Sequence, residues 1–266
     1  MIIVGGVEIK QGHFPDGTLL TKFDPNSDEF DSRGNMLVEW YYENDAELFT
    51  LICVKRHLDR VYSYSDVILY MPYIPHARQD RVKSDEDVFT LKYFCEVINS
   101  LKFKVVHVRD AHSNVSLALL DNVRDDGVAP NIRKAINASG ADVLFFPDEG
   151  AMKRYSSTSE KPYAFGLKKR DWATGQIQGL DIVNAEAVVD KDVLIVDDIC
   201  SRGGTFYHSA KALKAAGAKS VKLYVTHCEN TVCEGQIFDL NLIDAIYTTK
   251  SLVHTKDVME RVTYID

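Results

Sequence analysis

Two carboxylates, Asp197 and Asp198, end the β-branched apolar run Val193-Leu-Ile-Val196, and the loop Cys200-Ser201-Arg202-Gly203-Gly204-Thr205 follows them before a helical pattern begins. Residue types in this order build a phosphate cradle. Glycines at 203 and 204 let backbone N–H groups approach phosphate oxygens, and the start of the following helix adds its positive dipole end. A Walker loop carries Lys after its glycines, and this loop has none. Paired acids directly before such a nest suit a ligand with hydroxyls beside its phosphate, as in a ribose phosphate.

A second cluster, Tyr70-Met-Pro-Tyr-Ile-Pro-His-Ala-Arg-Gln-Asp-Arg81, follows another apolar run. Pro72 and Pro75 stiffen the turn, and Arg78 and Arg81 can grip phosphates bidentately. Taken alone, this could be a solvated basic turn. His112 in Asp110-Ala-His112, taken alone, could be a satisfied polar residue, but its place after an apolar strand and beside Asp110 favours a ligand role. Asp148 in Pro147-Asp-Glu-Gly150 also follows an apolar run. Lys168-Lys-Arg170 would ordinarily be a solvated charge run. Here it opens a segment with Gly and Gln, 171–179, expected to be a lid that includes Trp172.

These groups need a scaffold that brings strand ends together. From Met36 onward, strand and helix patterns alternate, which predicts a mainly parallel sheet. Strands are expected at Met36–Tyr42, Asp66–Met71, Lys104–Val108, Val143–Phe146, Tyr163–Gly166, Val193–Val196, Val221–Thr226 and Ile243–Thr248. Helices are expected from Asn44 as N-cap to about Val61, from Ser84 as N-cap through Val88, Leu91, Phe94, Cys95, Ile98 and Leu101, at Ile132–Ile136, and at Thr205–Ala216 closed by Gly217. The N-terminal region 12–31 has turn residues and alternation, and reads as a hairpin. The polar stretch Asp121–Val128 is the expected domain boundary, giving domains 1–126 and 127–266.

The 266 residues suffice for one large or two modest domains, and 45% hydrophobic with 26% charged residues is ordinary for a soluble protein. A net charge of −8 argues against a nucleic-acid surface. No apolar run approaches membrane-spanning length, and Met1-Ile-Ile-Val-Gly-Gly lacks the basic start of a secretory signal. Five cysteines, without a Cys-x-x-Cys, suit a reduced, cytoplasmic protein. Cys200 is expected to pack, and His107 and His208 to be structural or surface residues.

The motifs, in this order, resemble those of the ribose-phosphate pyrophosphokinases (phosphoribosyl pyrophosphate, or PRPP, synthetases), in a compact form. Pro72 to Arg81 is similar to their Pro-Tyr-x-x-x-Ala-Arg-Gln-Asp-Arg string. Phe14-Pro-Asp16-Gly17 resembles their adenine-binding hairpin, Asp110-Ala-His112 their Asp-Leu-His, and Pro147-Asp148-Glu-Gly150 their Pro-Asp-x-Gly. Lys168-Lys-Arg170 resembles their catalytic loop, Asp197–Thr205 their PRPP loop, and Thr226-His227 the end of their next strand. The resemblance covers nearly the whole chain from about Phe14.

The resemblance implies an α/β protein of two tandem phosphoribosyltransferase-like domains, each a mainly parallel sheet flanked by helices, with an N-terminal hairpin. It implies transfer of the β,γ-diphosphoryl group of ATP to the anomeric hydroxyl of ribose 5-phosphate. Phe14, Asp16, Arg78, Gln79, Asp80 and Arg81 would then bind ATP. Asp197, Asp198 and the loop Cys200, Ser201, Arg202, Gly203, Gly204 and Thr205 would bind the ribose phosphate. Lys168, Arg170 and His112 would be catalytic, with His112 and Asp148 near Mg²⁺. The hairpin would act across the interface of a homodimer or larger homo-oligomer.

Some positions depart from the pattern. The family's first strand and helix before the hairpin, and its last helix, are expected to be missing. Thr18 stands where Glu is usual, and Ser201-Arg202 where Asp-Thr or Ser-Thr is usual. Arg202 could serve a second phosphate, which raises ADP-ribose as an alternative acceptor, used by compact viral relatives. A phosphoribosyltransferase or an inactive regulatory subunit are the remaining alternatives. The first has no need for Arg78–Arg81, and the second would not keep Lys168, Arg170, His112 and both loop acids.

Overall fold

Short apolar runs that alternate with amphipathic stretches fold here into two sheets. The structure, a computed structural model, describes residues 1–22, 35–62, 66–170, 177–238 and 241–266, without the side chains of 168–179. The chain divides into two compact units, Met1–Asp126 and Gly127–Asp266.

The first unit contains β1 (Ile2–Val4), β2 (Val7–Glu8), β3 (Gln11–His13), β4 (Leu19–Thr21), β5 (Met36–Trp40), β6 (Val67–Tyr70), β7 (Val105–Val108) and β8 (Val123–Asp125). Its helices are α1 (Ala46–Val61), α2 (Thr90–Ser100) and α3 (Asn114–Leu119). A six-stranded sheet has the order β2-β1-β5-β6-β7-β8. The strands β5 to β8 run parallel in chain order, and β1 is antiparallel to β5. Met36, Val38 and Trp40 of β5 are buried while Leu37 is exposed, the period of two expected for a strand with one face on the core. Leu51, Val54 and Leu58 of α1 and Leu91, Phe94, Cys95 and Ile98 of α2 recur at helical spacing and join that core. Trp40 is fully buried, and its indole N–H donates to Glu47 Oε2 at 2.9 Å, so the ring enters the core without an orphaned donor.

Three local expectations need correction. Helix α2 begins at Thr90, not after Ser84. The carboxylate of Asp87 accepts from the N–H groups of Lys83 and Ser84 at 2.8 and 3.0 Å, so the Ser and Asp residues close a turn, and Val88 is 54% exposed. Helix α1 begins at Ala46, with Asp45 rather than Asn44 in the cap position. Asn44 still accepts from the Ala46 N–H at 3.1 Å, but Glu47 accepts from the Trp40 indole, the Glu43 N–H and the N-terminal ammonium rather than from the Asn44 N–H of a capping box. A strand, β1, does precede the hairpin, turning at Gly5-Gly6 into β2. The hairpin itself pairs β3 with β4; residues 23–34, the rest of the expected hairpin region, lie outside the described residues.

The second unit contains β9 (Val143–Phe146), β10 (Tyr163–Arg170), β11 (Ile177–Val183), β12 (Asp192–Cys200), β13 (Ser220–Cys228), β14 (Ile246–Thr248) and β15 (Thr263–Tyr264). Its helices are α4 (Ala129–Ser139), α5 (Glu149–Tyr155), α6 (Gly204–Ala215) and α7 (Lys256–Met259). The seven-stranded sheet has the order β11-β10-β9-β12-β13-β14-β15, with only β11 antiparallel to its neighbour. From β9 the chain goes to β10 on one side and then to β12 on the other. The β9/β12 boundary is therefore a topological switch point, where open α/β sheets leave a crevice at their carboxyl ends.

Val193, Leu194, Ile195 and Val196 of β12 are all fully buried. Val193 and Ile195 pack with Phe206, Ala210 and Leu213 of α6, and Leu194 and Val196 with Ile132 of α4 and Ala151 and Tyr155 of α5. Each such side chain contributes roughly 1.5–3 kcal/mol through burial. A strand covered on both faces reads as a continuous apolar run rather than an alternating one.

The C-terminal end is tied to β13 by a histidine. His254 Nε2 donates to the Cys228 carbonyl at 2.7 Å, and the Tyr264 hydroxyl donates to Nδ1 at 2.6 Å, an arrangement for the neutral ring. Burial holds the His254 pKa below the ordinary histidine value, against the raising effect of the Cys228 bond. A lowered folded-state value gives stability that is complete above the unfolded value of about 6.5 and is lost as pH falls below it. Urea unfolding of wild type and His254→Gln at pH 7.5 and pH 5 is expected to show a wide stability gap at the higher pH and a narrower one at the lower. A gap that does not narrow contradicts the assignment.

Candidate active site

The strand β12 delivers Asp197 and Asp198 to its carboxyl end, and Ser201-Arg202-Gly203 then leads into α6. Gly203 is the N-cap of α6 with φ +74°, and a Cβ there would stand 2.8 Å from Ile237. Backbone conformation and packing both demand glycine at 203. Gly204 is different: a Cβ there would meet no protein atom within 4 Å. Glycine at 204 leaves room directly in front of the unpaired N–H groups that begin a helix, where an anion binds.

The neighbouring segment clasps this loop. The Ser201 hydroxyl donates to Glu229 Oε2 at 2.6 Å, and Arg202 Nη2 donates to Glu234 Oε2 at 3.0 Å. The Glu229 N–H donates to the Cys200 carbonyl at 2.8 Å. A Cβ on Gly235 would stand 1.8 Å from the Arg202 carbonyl oxygen, so only a bare backbone fits there. Asp198 N–H donates to Asp197 Oδ1 at 3.0 Å, and Arg154 Nη1 on α5 donates to Asp198 Oδ2 at 3.2 Å. Across the switch point, Asp148 Oδ1 accepts from Ala151 N at 3.1 Å and caps α5.

The first unit gathers its own polar groups at the carboxyl ends of β6 and β7. Arg78, Gln79, Asp80, Arg81, Lys83 and Asp87 line a cavity of about 350 Å³. Asp80 accepts from Arg81 Nε at 2.7 Å and from the Ser113 hydroxyl at 2.7 Å, and these bonds, Arg81's first, hold its carboxyl below the usual range. Ser113 also caps α3 by accepting from Val115 N at 3.2 Å. Asp80 thus joins the arginine cluster to the loop Asp110-Ala-His112. Asp125 supports the same loop, accepting from Asp110 N at 3.0 Å and Ala111 N at 3.4 Å. His76 and Asp110 have φ of +63° and +50°, uncommon for residues with a Cβ. Such conformations persist where surrounding bonds enforce them, and they concentrate at ligand sites.

The comparisons with known proteins agree with this geometry. Residues 152–237 match the model of the family described as Phosphoribosyl transferase domain. A ribose-phosphate pyrophosphokinase of Thermococcus kodakarensis is 28% identical over 247 residues, covering 87% of this chain and 80% of its own. One of Pyrococcus furiosus is 25% identical over 256 residues, covering 94% and 87%. The chain is similar to ribose-phosphate pyrophosphokinases over most of its length. The crystal structure of phosphoribosylpyrophosphate synthetase from Mycobacterium smegmatis shares the fold, with a TM-score of 0.76 and 20% identity over 97% of this chain and 85% of that one. The fold class is α/β with parallel-rich sheets, as the sequence implies.

That similarity sharpens the accounting of the residues singled out from sequence. Asp197, Asp198 and Ser201 to Thr205 stand together at the end of β12 and start of α6. Cys200 belongs to the core beneath: its thiol is fully buried, and a bond with Cys228 together with burial pushes its pKa well up. It is thus a packing residue rather than a ligand contact. Arg78 to Arg81 line one cavity, while Gln79 Oε1 is taken by the Thr90 hydroxyl at 2.8 Å. Phe14 is half-exposed at the hairpin tip, and Asp16 accepts from Thr18 N and Oγ1 at 3.0 and 2.7 Å. Those bonds hold its carboxyl below the usual range. His112 is exposed just before α3.

The backbone of Lys168–Arg170 lies in β10 and that of Ile177–Gly179 in β11, so strand replaces part of the expected lid; residues 171–176 and the side chains of Lys168 and Arg170 lie outside the described residues. Among the described residues, no three His, Cys, Asp or Glu side chains form a ready metal cage, and no helix is long and apolar enough to cross a membrane.

Sequence reasoning missed Ser113, Asp125, Arg154, Glu229, Glu234 and Gly235. Only Gly235 carried a signal, as a glycine outside any regular turn pattern. Its substitution makes a sharp test. Gly235→Ala must displace the Arg202 carbonyl, and overpacking of this kind costs about 1–3 kcal/mol. That corresponds to a fall of roughly 2–12 °C in melting temperature for a chain of this size. Calorimetry is expected to show this fall together with weaker binding of inorganic phosphate; an unchanged melting temperature contradicts the close approach.

Proposed function

We propose that this protein synthesises PRPP, transferring the β,γ-diphosphoryl group of ATP to the anomeric oxygen of ribose 5-phosphate. The observation that carries the reading is the cradle at the switch point: two acids, then a glycine the protein itself does not require, then a helix start. The 1-hydroxyl oxygen attacks the β-phosphorus and loses its proton. The bond from β-phosphorus to the α,β-bridging oxygen breaks, and AMP leaves. Little covalent chemistry is asked of the protein, so positioning and charge neutralisation dominate.

In this reading the 5-phosphate sits against the N–H groups of Ser201–Thr205, and Asp197 and Asp198 serve the ribose hydroxyls. Arg78, Gln79 and Arg81 serve ATP, with Asp80 as their brace, and Phe14 with Asp16 act toward a second copy in a homodimer or larger homo-oligomer. Mg²⁺ is usually held by one or two carboxylates plus substrate phosphates, so it asks few donors of the protein. Asp148 offers the hard oxygen donor, with His112 as the second candidate. When bound, the ion supplies charge neutralisation on the triphosphate. Lys168 and Arg170 neutralise the charge that develops on the transferred group.

Replacing Lys168 or Arg170 by Ala is expected to lower kcat roughly 10²–10³-fold, read as AMP formation from Mg-ATP. A loss below threefold in both variants contradicts their catalytic assignment.

A second reading keeps the chemistry and changes the acceptor to ADP-ribose, giving ADP-ribose 1-diphosphate for NAD synthesis. The observation that favours it is Arg202: a guanidinium on the phosphate loop itself, 72% exposed and steadied by Glu234. AMP formation with ribose 5-phosphate and ADP-ribose side by side decides between them. Turnover with ribose 5-phosphate is the expected outcome. Preference for ADP-ribose establishes the second reading, and no AMP with either acceptor overturns both in favour of a transferase or a regulatory subunit.

A further inference from the structure

The two loop acids do not share one environment. Along β12, Asp197 continues the row of Val193 and Ile195, which packs with α6, the helix that follows the phosphate loop. Asp198 continues the row of Leu194 and Val196, which packs with α4 and α5. Alternation of side chains thus turns the acids to opposite faces of the sheet. The Arg154 contact agrees, because Arg154 is on α5 and its Nη1 donates to Asp198 Oδ2 at 3.2 Å. The Asp198 side chain is 10% exposed and that of Arg154 is 29% exposed. A carboxylate so far from water gains from a charge-assisted bond, and a planar guanidinium donates such a bond from a fixed direction.

We propose that Arg154 is a positioning residue of the acceptor site, acting through Asp198 to present that carboxylate to the ribose end of the acceptor. The role is indirect, because the bond that Arg154 Nη1 makes at this site is to the acid. Asp197 stands on the α6 face beside the loop. The bond from the guanidinium to Asp198 assigns the role to that acid. The proposal rests on the acceptor-site reading given above.

The test uses full-length protein, Mg-ATP and whichever of the two acceptors the wild type turns over. Arg154→Gln is expected to raise the acceptor KM roughly ten- to hundredfold, the range for a lost charge-assisted bond, with the ATP KM within about twofold. Arg154→Lys keeps the charge without the fork, restores part of the loss, and carries the test if the glutamine variant does not fold. In an Asp198→Asn background, Arg154→Gln is expected to add less than about threefold, since neighbours that act as one unit are not additive. A general structural defect would instead move the KM of both substrates. An unchanged acceptor KM, or effects of the two substitutions that simply multiply, overturns the positioning role while leaving the acceptor-site reading intact. A wild type inactive with both acceptors overturns that reading and the positioning role with it.

Discussion

A charged group at the end of a strand buried on both faces is the constraint around which the second unit is built. Four consecutive residues of β12 are sealed from water, and two carboxylates follow at once. A buried carboxylate without a partner is costly enough to unfold a marginal domain or to take up a proton instead. The sheet meets this in two ways. The order of strands opens a crevice at the β9/β12 boundary, so Asp197 is only half-buried. Arg154 reaches Asp198, the acid that remains inside. Helix α5 is capped by Asp148 on the far side of the crevice, so one short helix brings both an acid at its N-terminus and a cation near its C-terminus.

The loop obeys a related rule. Its side chains are occupied elsewhere: Ser201 by Glu229, Arg202 by Glu234, and Cys200 by the core. Beneath those side chains the loop leaves backbone N–H groups and a helix start. Backbone donors lose no side-chain entropy when they bind, which suits a ligand that must be held in one orientation for in-line attack. Two acidic side chains close to an anion site would be repulsive if they faced it. Their hydrogen bonds to Ser201 and Arg202 commit them to the loop's outer framework. The bare backbone at Gly235 allows that framework to come close enough to serve.

Much of this was legible in the amino-acid order because it depends on local rules. A fully apolar run predicts a strand covered on both faces, and Val193–Val196 is one. The helix after Gly203-Gly204 and its end at Gly217 follow from cap chemistry, and α6 spans Gly204–Ala215. What failed were positions where a tertiary partner outweighed local preference. Ser84 looked like a helix cap, but Asp87 three residues away accepts from the N–H groups of Lys83 and Ser84 and closes a turn instead. Asn44 and Glu47 looked like a capping box, but a buried indole needs an acceptor more than the helix end needs one. Arg154 and Glu229 gave no local signal, because their partners are 44 and 28 residues away in the chain. The motif acids were visible from sequence, and the groups that hold them in place were not.

The two units arrange their polar groups by opposite means, and the difference follows from topology. In the first, β5 to β8 stand in chain order, so their carboxyl ends form an even edge without the crevice of a switch point. Charge must be carried there by side chains, and side chains need bracing. Asp80 braces Arg81 and Ser113, and Asp125 holds the Asp110-Ala111 backbone in a conformation that a residue with a Cβ adopts reluctantly. In the second unit the crevice exists already, and the backbone of one loop fills it with donors. Arginines that rotate about several bonds suit a polyphosphate chain gripped at several points. A rigid nest suits a single terminal phosphate whose sugar must be presented in one orientation. This chain carries the two arrangements on separate sheets.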